Sequence, residues 1–60
     1  MRARKYILEF LTDNPNSDIS AIIADAVAKG AQQHAVLRVV ERMQRRGKIV
    51  KNGDTYSLAA

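Results

Sequence analysis

Residues 31–58 read AQQHAVLRVVERMQRRGKIVKNGDTYSL, and the change of period inside this stretch decides the fold. Over residues 31–46 the apolar side chains Val36, Val39, Val40 and Met43 recur at three- and four-residue intervals, which lays one stripe along an α-helix. His34, Arg38, Glu41 and Arg45 fall on the opposite side with Arg42 at its edge, so a core holds this helix by one face while a mostly cationic face looks outward. Gly47 ends the helical period, and two short runs follow, divided by Asn52-Gly53. An Asn-Gly pair readily takes the positive φ values of a type I′ turn, which predicts a two-stranded hairpin over residues 48–58 with Val50 facing Thr55 and Ile49 facing Tyr56. Alternation then turns Ile49, Tyr56 and Leu58 toward the core and leaves Lys48 and Ser57 on the other side.

The part before this stretch reads as two more helices. Over residues 2–12, Ala3, Ile7, Phe10 and Leu11 share one helical face, and Asp13-Asn14-Pro15-Asn16 stops the helix, because the residue before a proline is pushed out of the helical region. Ser17 is the expected N-cap of a second helix, with Asp18 in its first turn and Ile19, Ile22, Ile23, Ala26 and Val27 as its core stripe. Lys29-Gly30 ends it, so only a short turn around Gly30 separates the second and third helices, a helix-turn-helix order. The chain therefore reads as one α+β domain, mainly α, spanning residues 1–60.

Composition narrows the function classes. Sixty residues allow a single small core and no room for a deep pocket, so no small-molecule ligand is expected. With no cysteine and one histidine there is no metal site and no disulfide framework, and no cofactor is expected. Ser17, Ser20 and Thr12 are explained as cap and turn residues, and no histidine and orienting acid stand in reach of a nucleophile, so no catalytic residue is assigned and the chain is read as a non-enzyme. No apolar run approaches membrane-spanning length, and Arg2-Ala3-Arg4-Lys5 does not open a signal-type segment, so the expected location is the cytoplasm, with the nucleoid if the source is prokaryotic. The formal charge of +4 is unevenly placed: Arg2, Arg4 and Lys5 open the chain, Asp13, Asp18 and Asp25 sit in the middle, and Arg38, Arg42, Arg45, Arg46, Lys48 and Lys51 crowd the last third. Such asymmetry suits docking of a polyanion on one side.

Three segments resemble the winged helix-turn-helix superfamily: YILEFL at residues 6–11, SDISAII at residues 17–23, and the basic exit RRGKIV at residues 45–50. The likeness extends over nearly the whole chain, which looks like the small bacterial and phage regulators of this class, with no one subfamily fixed. It implies a double-stranded DNA partner, with the helix of residues 31–46 in the major groove and the hairpin on phosphate or in the adjacent minor groove. Carried over residue by residue, it implies that Gln32, Gln33, His34 and Arg38 read or straddle bases, while Arg42, Arg45, Lys48, Lys51 and Asn52 hold the backbone. The side chains suit those roles, since glutamine pairs bidentately with adenine and arginine with guanine. A homodimer on DNA is the expected working form.

Two residues on the outer face need separate accounts. Glu41 would repel phosphate, and an internal pair with Arg45 one turn later is the expected resolution. Arg46 lies nearer the helix flank, where its aliphatic stem is expected to cover the core edge. A left-handed DNA binder of the same fold asks for Asn and Tyr where this chain has Leu37 and Glu41, which argues against that branch. The competing class is a winged-helix protein-interaction or dimerisation module, suggested by Tyr6, Leu8 and Leu37 beside the core stripes; an accessory role in replication or recombination is a third.

Overall fold

The computed structural model describes residues 2–60. The first helix, α1 (Ala3–Asp13), is closed by Asn14, whose backbone N–H and side-chain amide both donate to the Phe10 carbonyl, at 2.8 and 3.0 Å. After Pro15 the chain reverses through Asn16, which sits at φ 60°. Asparagine tolerates this left-handed conformation better than most residues. The Asn16 N–H donates to the Ser57 hydroxyl at 2.9 Å, and that hydroxyl donates back to Asn16 Oδ1 at 3.0 Å, which pins the turn to the far end of the chain.

A short strand, β1 (Ser17–Asp18), comes next and runs into α2 (Ile19–Ala28). Here the expectation for the cap is corrected. Asp18 is the N-cap, in extended conformation, and its Oδ1 accepts from the Ala21 N–H at 2.9 Å; Ser17 instead donates its hydroxyl to the Asn14 carbonyl at 2.6 Å. Ser17 lies one residue before the cap position, paired opposite Tyr56, and its hydroxyl is turned back to the Asn14 carbonyl.

Lys29 caps the end of α2, and Gly30 (φ 109°) sends its N–H to Val27 while Ala31 sends its own to Ala26. This pair of bonds is a Schellman motif, which uses a left-handed residue to satisfy the last carbonyls and to turn the chain. The third helix, α3 (Gln33–Arg45), starts two residues later than expected, with Gln32 outside it as N-cap, and ends one residue earlier. Its exit repeats the same pattern, with Gly47 N–H to Gln44 and Lys48 N–H to Met43.

The hairpin exists as β2 (Ile49–Asn52) and β3 (Thr55–Leu58), but its register differs from expectation. Ile49 pairs with Leu58 and Lys51 with Tyr56, so the turn is Gly53-Asp54 and not Asn52-Gly53. Gly53 alone has positive φ (60°), the sign pattern of a type II′ turn, which places glycine first. The shift is of two residues, and a shift of two leaves every side chain on its original face. Ile49 is buried and Tyr56 and Leu58 pack half-buried against the core, while Thr55 and Ser57 on the other face of β3 are half-buried as well.

The sheet has three antiparallel strands in the order β1-β3-β2, not the two expected, so β3 is the central strand and β2 an edge. Three helices pack on it around a core of Ile7, Leu11, Ile22, Ala26, Val36, Val40, Met43 and Ile49, giving a small, mainly helical α+β domain. Tyr6, Leu8 and Phe10 pack against this core, whereas Val27, assigned to the stripe of α2 by its spacing, is largely exposed. No helix among the described residues is long and apolar enough to cross a membrane.

Candidate nucleic-acid interface

The side of α3 away from the core carries His34, Leu37, Arg38, Glu41, Arg42, Gln44 and Arg45, all exposed. Its cations are not spread evenly. Arg38, Arg42 and Arg46 succeed one another at four-residue intervals, a row about 12 Å long on one flank of the helix. The fold lays this row beside the start of α1, and the two enclose a cleft of about 320 Å³. Arg4, His34, Arg38, Arg42, Arg46 and Lys48 stand around it, and Ala3, Ala35, Val39 and Met43 form its floor.

This arrangement sorts the expected site residues. His34, Arg38, Arg42 and Lys48 are brought together at the cleft. Gln32 and Gln33 are exposed at the entrance of α3, the first as N-cap with no side-chain capping bond, and neither lines the cleft. Arg45 lies 3.8 Å from Glu41, as expected for the internal pair; both side chains are about 70% exposed, so the pair contributes little and leaves Arg45 able to exchange partners. Lys51 stands 5.9 Å from the centroid of the Tyr56 ring, a contact that the observed register creates by placing the two directly opposite. Asn52 ends β2, and its carbonyl accepts from the Thr55 hydroxyl at 3.1 Å across the turn.

Arg46, expected on the helix flank over the core edge, lines the cleft beside Val39 and Met43, and Arg4, given no site role from the sequence, joins it from α1. The row of Arg38, Arg42 and Arg46 was legible from spacing; Arg4 was not, because its nearness to α3 is a product of tertiary packing. The cleft is a half-open surface concavity, not the deep pocket for which so small a core leaves no room.

Among the described residues only Lys29 and Arg45 pair with carboxylates, Lys29 with Asp25 at 3.2 Å within α2 and its cap. Arg4, Arg38, Arg42, Arg46 and Lys48 have no acidic partner among the described residues. Arg4 and Lys5 also occupy the first turn of α1, which contains no acidic residue, so cations sit at the positive end of the helix dipole. That placement works against stability and suits a surface waiting for an external anion. No group of histidine, cysteine or carboxylate side chains among the described residues has the arrangement of a metal site. No protein-family model matches the chain, and no match was found among curated proteins or solved structures.

Proposed function

We propose that this chain is a sequence-specific double-stranded DNA-binding protein of the winged-helix type, acting as a small transcriptional regulator. The observation that carries the reading is the row Arg38, Arg42 and Arg46 with Lys48, cations without an acidic partner among the described residues on the outer flank of a helix. An α-helix about 10–12 Å across fits a major groove about 12 Å wide, and α3 is joined to α2 by the short turn that this docking requires. In this reading the exposed residues at the start of α3, Gln33 and His34, with Arg38, meet base edges. Arg42, Arg46 and Lys48 hold phosphate, and Lys51 and Asn52 at the β2 edge hold the backbone beside it. A second copy on the same site, with half-sites about one helical turn apart, belongs to this reading.

Selection from a random duplex pool, followed by titration of the enriched site under increasing salt, tests this. Affinity should fall linearly on a log–log salt plot, with a slope set by the number of phosphates neutralised. Arg38→Ala should cost about 1–3 kcal/mol and blur the preference at one base position, while Lys51→Ala should weaken all sequences alike and make the slope shallower by about one. No enrichment, or binding that ignores salt, would point instead to a protein-interaction module.

A further inference from the structure

The cleft between the start of α1 and the flank of α3 has more in it than phosphate binding uses. A surface that only grips a sugar-phosphate chain needs cations on an open face. This one is a concavity of about 320 Å³, within the range of small-molecule sites, and its floor is apolar. Val39 is half-buried there, and Ala3, Ala35 and Met43 are buried side chains whose outer surfaces form the base of the cleft. Methionine in a floor of this kind adapts to the shape of what lies on it, and guanidinium planes stack on rings as well as pairing with carboxylates. Inorganic phosphate would gain nothing from such a floor.

We propose that this cleft is a binding site for a small organic anion, a carboxylate carrying an aromatic ring or a short acyl body. The body lies on Ala35, Val39 and Met43, and the carboxylate meets Arg42 together with Arg4 or Arg38. Grouping these cations around one hollow raises their mutual repulsion in the free protein, and a bound anion relieves it. Since Arg38 and Arg42 are also the residues assigned to DNA, the anion and the duplex compete for them. This second half rests on the DNA reading above; the site itself does not.

The test uses the whole chain and 2-naphthoate, with acetate and inorganic phosphate as references, in two arms. In the first, without DNA, binding is followed by calorimetry and by methyl resonances. Naphthoate should bind about tenfold or more tighter than acetate, because the ring removes apolar surface from water. Its shifts should concentrate on the methyl groups of Ala3, Ala35, Val39 and Met43. Arg42→Gln should weaken naphthoate severalfold, whereas Lys5→Gln, which removes the same charge from a residue outside the cleft, should not. Equal affinity for naphthoate, acetate and phosphate overturns the site, as do shifts scattered away from those methyls. In the second arm naphthoate should displace a labelled duplex at concentrations matching its own Kd. A chain that binds naphthoate and duplex together without mutual effect overturns the antagonism. A chain that binds naphthoate but never binds duplex leaves the site standing and sinks the DNA reading alone.

Discussion

Gly53 shows how one residue sets the geometry of the sheet. A Cβ built there meets nothing within 4 Å, so space is not the constraint; the backbone is, at φ 60°. Gly53→Val places a β-branched residue where positive φ is strained, and the cost should be about 1–3 kcal/mol, carried wholly by conformation. In a chain this short that is a drop of about 4–8 °C in Tm for each kcal/mol, readable by circular dichroism. An unchanged Tm would mean that the hairpin turns at another pair. The sequence led one step astray here for a physical reason: Asn52-Gly53 and Gly53-Asp54 are both good turn pairs, and local chemistry does not choose between type I′ and type II′. The choice is made by what each register places together, here Ile49 with Leu58 and Lys51 with Tyr56.

The helices were legible because each repeats its apolar residues over several turns, and β1 was not, because two residues carry no alternation to read. The cap of α2 lies at Asp18, one position after the expected Ser17, which yields a direct contrast. Asp18→Ala removes the acceptor for the Ala21 N–H and should cost about 1 kcal/mol, as loss of an N-cap does. Ser17→Ala removes only an exposed hydroxyl bond to Asn14 and should cost less. Chemical denaturation of the two variants decides the assignment, and a larger loss for Ser17→Ala would restore Ser17 as the cap. The ends of α2 and α3 were easier to read, because Gly30 and Gly47 follow them at the position where the Schellman motif calls for a left-handed residue. The candidate site divides along the same line. Arg38, Arg42 and Lys48 followed from one helix and its exit, while Arg4 and the concavity required two elements to meet.

At the scale of the whole molecule, the clustered charge proposed to meet DNA should act against the fold. The chain carries a net charge of +4, and Arg4, Arg38, Arg42, Arg46 and Lys48, without an acidic partner among the described residues, stand around one cleft, its arginine row on α3 comparable in length to the Debye length of about 10 Å at 0.1 M salt. Raising sodium chloride from about 0.1 M to about 1 M shortens that length to about 3 Å. Repulsion across the cleft should then fade and Tm should rise, over the same range in which the proposed DNA affinity should fall. The variant that isolates this effect must avoid arginines the fold uses. Arg42 lies in the last turn of α3 and Arg46 caps it, where cations favour the helix dipole, so their removal would mix a loss with the gain. Arg38 lies in the middle of α3, and Arg4 stands at the positive end of α1, where its charge is already unfavourable. The double variant Arg4→Gln/Arg38→Gln should therefore melt higher than the parent at about 0.1 M salt, show a flatter rise of Tm with salt, and bind duplex more weakly with a shallower slope. Thermal melts and duplex titrations on one salt series measure both. A double variant that melts lower at low salt would show that these cations stabilise the domain, and that the crowding around the cleft needs no external anion to balance it.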